Sequence, residues 1–278
     1  MNDAGAPRGR VRRGLLIAGI AVFSVAALVL GARLAWRARA GYPGAVGEGP
    51  DAPIVLAPGE RPFDRGERAS YRVTWQVDAG SGLAAGRLAF EAAGAAGARY
   101  LAVDVETAAW AVSFYDLHGR IESWTDADVR PSRQELHLRS GRRTTDRTTW
   151  FDGRARTFVV NEGAPIALPD GARDGLSAWF HVRTLPLAPG YAVRLAVVEA
   201  GRVFELTGRV DGVERVPSGG RQVEAFRLSL RVTPAAGGDD VVRATAWFSS
   251  DPRRIPLAID VATALGPFRA ELDRYERR

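Results

Sequence analysis

The sequence predicts an all-β, mainly antiparallel domain, curled into a partial or closed barrel with one short covering helix, behind a single N-terminal membrane helix. Three observations predict it. From Arg68 onward apolar residues recur at every second position in run after run, the period of a half-buried strand. The connections between runs are short and rich in Gly, Asp, Ser and Pro, so neighbouring runs must be antiparallel, because a parallel crossover needs a dozen residues or more. The run Gly14 to Ala32 is uncharged and, at about 1.5 Å per helical residue, long enough to span the hydrocarbon of a bilayer.

The front of the chain reads as a tail, a membrane span and a tether. Residues 1–13 are rich in arginine, which favours the cytoplasmic side and leaves the long remainder outside. Residues 14–34 are expected to be a signal-anchor helix, bracketed by Arg12-Arg13 and Arg33, with Trp36 where an interfacial aromatic belongs. Ala38-Arg39-Ala40 resembles a cleavage site and Arg12-Arg13-Gly14-Leu15-Leu16 loosely resembles a twin-arginine export signal. The apolar run is longer than an ordinary signal h-region, which favours an uncut anchor, and both readings put the domain outside the cytoplasm. Residues 35–60, dense in Gly, Pro and Ala, form a linker, and residues 61–278 form the β domain.

Within the domain each strand shows two faces. Tyr71, Val73, Trp75 and Val77 alternate with Arg72, Thr74 and Gln76; Leu88 and Phe90 with Arg87 and Glu91; Leu101, Val103 and Val105 with Asp104 and Glu106. Leu136 and Leu138 oppose Glu135, His137 and Arg139, and Gly141 turns the chain into Thr144–Phe151; Gly153 turns it again into Thr157–Val160. Further strands are expected at Val193–Val198, Arg202–Arg215, Gln222–Thr233, Val241–Ser249, Pro256–Thr263 and Phe268–Tyr275, giving roughly ten to thirteen in all. Val241–Phe248 is apolar on both faces, the mark of a central or doubly covered strand. One segment changes period: between Asp174 and Pro186, Leu176, Trp179, Phe180 and Arg183 fall at helical spacing, which predicts a helix of about ten residues.

Composition removes whole classes of chemistry. The chain has no cysteine and all 38 of its basic residues are arginine, which excludes thiol nucleophiles, thiolate metal sites, disulfides and a P-loop or Schiff-base lysine. The net charge of +6 resides in residues 1–40, where seven arginines face Asp3; residues 41–278 carry 31 basic and 31 acidic groups. A neutral domain lacks the electrostatic footprint of a nucleic-acid binder, so no nucleic-acid partner is expected.

Several pieces together resemble a known family. They are Gly66-Glu67 followed by Tyr71-x-Val73-x-Trp75, Ala85-Gly86, Phe114-Tyr115 leading into Arg120-Ile121-Glu122-Ser123, Asp174-Gly175-Leu176-Ser177-Ala178 running into Arg183-Thr184-Leu185-Pro186, and Trp247-Phe248-Ser249 followed by Asp251 and Arg253-Arg254-Ile255-Pro256. In order and spacing they resemble the bacterial envelope family catalogued as domain of unknown function 3108, over about residues 61–278. The resemblance implies an exported all-β protein and no particular chemistry. A long antiparallel sheet with one short helix is also similar, at the level of fold, to the half-barrels of lipoprotein carriers, in which a curved sheet holds acyl chains under a helical lid.

Candidate sites follow from the aromatic inventory. Tyr71, Trp75, Phe90, Tyr115, Trp124, Trp179, Phe180 and Trp247, with Arg254 at the mouth, are expected to line a cavity for a hydrophobic or lipid-like envelope component; the competing reading is that these rings fill the core. The expected partners are the inner membrane through residues 14–34, and a lipid-like ligand or an envelope protein. The main alternative function is an interaction or scaffold module, and the third is a hydrolase built on Asp174, Ser177 and His181, one face of the helix. Asp174 is read more simply as a helix-start residue and His181 as an exposed histidine. His118, His137 and His181 are scattered, and His137 beside Glu135 reads as a surface pair, so no metal and no cofactor is expected. Asp126-x-Asp128 and Asp239-Asp240 read as turns.

Overall fold

The computed structural model describes residues 61–78, 81–95, 97–112, 116–238, 241–263 and 266–277. The tail, membrane helix and tether expected over 1–60 lie outside the described residues, as do Phe114, Tyr115, Asp239 and Asp240. Among the described residues no helix is long and apolar enough to cross a membrane.

The chain forms β1 (Glu67–Asp78), β2 (Ser81–Ala95), β3 (Ala98–Thr107), β4 (Leu117–Asp126), β5 (Pro131–Ser140), β6 (Arg143–Asp152), β7 (Thr157–Val160) and β8 (Ile166–Ala167). After β9 (Arg173–Asp174) and α1 (Gly175–Val182) come β10 (Ala192–Glu199), β11 (Arg202–Ser218), β12 (Arg221–Pro234), β13 (Val242–Ser249), β14 (Pro256–Thr263) and β15 (Gly266–Arg277). All fifteen strands belong to one sheet, in the order β8-β7-β6-β5-β4-β3-β2-β1-β15-β14-β13-β12-β11-β10-β9. Two meanders are thus joined at the middle of the sheet by the first and last long strands, which pair antiparallel from Glu67↔Arg277 to Trp75↔Phe268.

The count exceeds ten to thirteen for a physical reason. β8 and β9 have two residues each, too short to show a period, and β4 hides its own: its inner positions run Leu117, Gly119, Ile121, Ser123, Thr125, so only two are large and apolar. Gly119 is required there, since a Cβ would come within 2.1 Å of Leu138 Cδ2 and 2.5 Å of the His137 carbonyl oxygen. Gly141, at φ 60°, makes the β5–β6 turn that its position predicts.

Among the described residues the backbone ladder does not close: β8 and β9 are its two edges, so the architecture is a curled open sheet. Side chains complete the curl. Phe158 of β7 packs with Ala172 and Val198 of β10, joined by Phe151, Val160, Leu168, Ala196 and Val203 from both ends of the sheet. Inside the curl lies one core drawn from nearly every strand, including Tyr71, Leu101, Ile121, Leu136, Val197, Phe204, Leu228, Phe248 and Ile259. The helix α1 is eight residues long and does not merely cover an opening. Leu176, Ser177, Ala178, Trp179, Phe180 and Val182 are all buried, so it is sunk into the concave face.

Candidate functional site

The concave face is built around α1. Trp179 sits 4.9 Å from Phe248 and 6.4 Å from Phe90 between ring centroids, Phe90 meets Tyr71 edge-on at 5.5 Å, and Phe180 meets Phe63 edge-on at 5.0 Å. Tyr71, Phe90 and Trp179 are therefore joined in one run of ring contacts, and Phe180, packed on Phe63, belongs to the same buried core. The rest of the predicted cavity lining is dispersed. Trp75 is half-buried and stacks on Phe268 at the margin of the core. Trp124 lies on the outer face of β4, and Trp247 anchors a separate outer cluster with Val216, Ala225, Ile255, Leu257 and Ala258. Arg254 lies over Phe226, 4.5 Å from its centroid, and donates to the Ser250 carbonyl. A cavity of about 160 Å³ adjoins Phe63, Asp64, Gly94 and Arg99, small beside the 300–1,000 Å³ common for ligand pockets.

Both ends of α1 are polar and buried. At its start, Asp174 has an extended backbone and accepts from the Ser177 N–H at 2.8 Å, an N-cap, while Ser123 Oγ on β4 donates to its other oxygen at 2.5 Å. Burial pushes the Asp174 carboxyl up, against these donors. Beside it Glu199 of β10 is 2% exposed; Gln134 Nε2 of β5 donates to Glu199 Oε2 at 3.3 Å, and Arg147 of β6 stands 4.0 Å from Oε1 without a hydrogen bond. Desolvation, then the neighbouring Asp174 charge, pushes the Glu199 carboxyl up to about 7. At the other end Arg183 makes a fork onto Glu67 of β1, with Nη2 2.9 Å from Oε2, and donates through Nε to the Arg254 carbonyl and through Nη2 to the Arg253 carbonyl, both at 3.0 Å. Tyr275 of β15 donates to the same carboxylate at 2.9 Å, and Tyr71 donates to the Pro256 carbonyl at 2.8 Å.

The hydrolase constellation dissolves into capping. Asp174 is the helix-start residue its position predicts, Ser177 is fully buried and donates through Oγ to the Asp174 carbonyl at 3.2 Å, and His181 Nδ1 is nearest Thr184. His181 differs from its reading as an exposed histidine: it is half-buried, and desolvation together with Arg173, Arg61 and Arg130 pushes it down to about 4. Asp126 forms the turn expected of it, accepting from the N–H groups of Asp128 and Arg130.

The sequence matches the family described as protein of unknown function DUF3108 over residues 70–273. The chain belongs to this family. Among solved structures, a β-barrel-like protein of the DUF1849 family from Brucella abortus is similar at TM-score 0.54 and 14% identity, covering 78% of this chain and 99% of that one, a likeness of fold. A DUF1089-family protein from Pseudomonas aeruginosa has TM-score 0.39 and 12% identity, over 66% of this chain and 95% of that one. No curated protein matches the sequence. In this DUF3108 chain, pieces that carry the family resemblance converge on the ends of α1: Ser123 and Asp174 at its start, Glu67, Arg183, Arg253, Arg254 and Pro256 at its finish. Arg183 falls on the apolar stripe of the helix, and a charge on that stripe is the signal of a buried partner. Glu199 and Gln134 gave no such signal.

The outer face of this DUF3108 domain carries a row that crosses three strands. Trp124 pairs with Arg133 across β4 and β5, and Arg133 with Trp150 across β5 and β6. The guanidinium carbon lies 3.8 Å from the Trp124 centroid and 5.3 Å from that of Trp150, which is half exposed. Tyr100 of β3 extends the row, 5.5 Å from Trp124.

Proposed function

We propose that residues 61–278 are a non-enzymatic interaction module of the cell envelope, held at the periplasmic face of the inner membrane by a single-pass anchor at residues 14–34 and the linker 35–60. The observation that carries this reading is the division between the two faces. The concave face is occupied by the chain's own helix and by rings in mutual contact, whereas the outer row ends at solvent in Trp150. Exposed tryptophan and arginine are the residue types that anchor interfaces. To test it, a photo-crosslinker replaces Thr148, next to that row, in the full chain in native membranes. One dominant protein adduct, lost on Trp150→Ala, is expected; an adduct pattern indifferent to Trp150 would refute the reading.

A second reading, uptake of a lipid-like molecule, is favoured by one feature: between β8 and β9 the curl is closed by side chains alone, so α1 has a route outward. It predicts stoichiometric lipid in native mass spectra of the purified full chain, and lipid-free spectra would remove it.

A further inference from the structure

The outer face holds a second group of residues, one row from the tryptophans. Glu122 of β4 lies directly opposite Glu135 of β5, and His137 follows two residues along β5 on the same face. Like charges placed opposite one another on a sheet are costly unless something offsets them. One potential ligand atom from each of Glu122, Glu135 and His137 lies within 4.8 Å of the others. Each of the three is also oriented by a partner outside the trio. Arg120 Nε donates to Glu122 Oε1 at 3.2 Å and the Tyr100 hydroxyl donates to the same oxygen; Arg133 Nε stands 3.4 Å from Glu135 Oε1; Asp146 Oδ1 of β6 takes His137 Nδ1 at 3.0 Å. The other ring nitrogen, Nε2, is left 3.8 Å from Glu135 Oε2, too far for a hydrogen bond.

This is the layout of a metal ligand set with its supporting shell: an imidazole fixed through one nitrogen by a carboxylate, with the second nitrogen turned to other oxygen donors. We propose that Glu122, Glu135 and His137 form a binding site for a divalent metal ion of the zinc class. Two carboxylates and one imidazole suit a borderline cation such as Zn²⁺ better than Mg²⁺, which prefers oxygen alone. Ligand atoms about 2.1 Å from zinc stand roughly 3.4 Å apart, so the trio closes by up to about 1.4 Å, a side-chain rotation open to groups on a solvent-facing sheet. The flanking guanidiniums of Arg120 and Arg133 hold the carboxylates and also temper the affinity. The set uses none of the residues around α1, and the site stands whether or not Trp150 meets a partner.

The test is a zinc titration of the full chain, free of any histidine tag and stripped of metal, read by competition with a chromophoric chelator. One Zn²⁺ per chain is expected in the tightest class. Affinity should fall at least tenfold in His137→Ala and in Glu135→Gln, and about tenfold in Asp146→Asn, which removes only the orienting carboxylate. His118→Ala, at the start of β4 with its ring paired to Asp116, should bind as the wild type does. Since these side chains face outward, unchanged circular dichroism will show that the fold is kept. Wild-type affinity in His137→Ala, or no zinc bound below about 1 mM, overturns the proposal.

Discussion

Glu199 is an acid placed where its charge is costly, and that placement sets a sign on the pH dependence of stability. Its carboxyl titrates near 7 in the folded chain and near its ordinary 4.5 when unfolded, so between those values the folded state holds the extra proton. Stability from this group is complete below about pH 4.5 and is lost as the pH rises to about 7, by about 3 kcal/mol over the interval. His181 works the other way. Its folded value near 4 lies below the ordinary 6.5, so the folded state resists protonation and stability is lost as pH falls through that window, by an amount reduced by solvent screening of a part-exposed ring. The two slopes oppose, which hides both in the wild type. Glu199→Gln should separate them: relative to wild type, the variant should gain up to about 3 kcal/mol between pH 4.5 and 8, in urea titrations at a series of pH values. A constant difference across that range would mean that Glu199 is not desolvated in solution.

At the scale of one element, α1 is short for an independent helix, and eight residues gain little from hydrogen bonds alone. It is held by its aromatic face and by one buried ion pair at its end. Arg183→Met keeps the volume and removes the charge, leaving Glu67 buried with Tyr275 as its donor. A loss of about 3–5 kcal/mol is expected, and Glu67→Gln in the same chain should recover part of it, because the stranded charge goes. Urea unfolding of the single and double variants measures both. A single-variant loss under about 1 kcal/mol would place the pair in water. The elements also mark what was legible beforehand. Period-two patterning locates the strands from β10 to β15 nearly to their ends, because their inner positions, Glu199 of β10 apart, are mostly apolar. It did not decide which parity faces inward where both do: Trp247 and Phe248 are adjacent and apolar, and only the fold puts Phe248 in the main core and Trp247 outside it. Trp124 carries the same one-residue ambiguity, since its neighbour Ser123 takes the inner position to reach Asp174. The outer trio was invisible for another reason, as Glu122 meets Glu135 only through the register of β4 with β5.

For the whole molecule the decisive contact is the most distant in sequence. β1 and β15 pair across nearly the full domain, and they do so at the centre of the sheet, so neither meander has a covered edge until the last strand arrives. The loop-closure cost of that pairing falls before its reward, which predicts slow refolding, in the seconds range or beyond, for an all-β chain whose central pairing is this non-local. A chain ending at residue 265 tests the arrangement directly. It lacks Phe268 and Ala270 of the core, the partner strand of both β1 and β14, and the Tyr275 donor to Glu67. Loss of a peripheral strand would trim such a sheet, but loss of this one divides it, and each half would be left with an unpaired central edge. No cooperative thermal transition is expected by circular dichroism, with aggregation in its place. By contrast Ile166→Asp, on the exposed two-residue β8 at the sheet's rim, should shift stability by no more than about 0.5 kcal/mol. Should the truncated chain melt cooperatively near the wild-type temperature, the two meanders would be separate folding units, and a single curled sheet organised around β1 and β15 would no longer describe the protein.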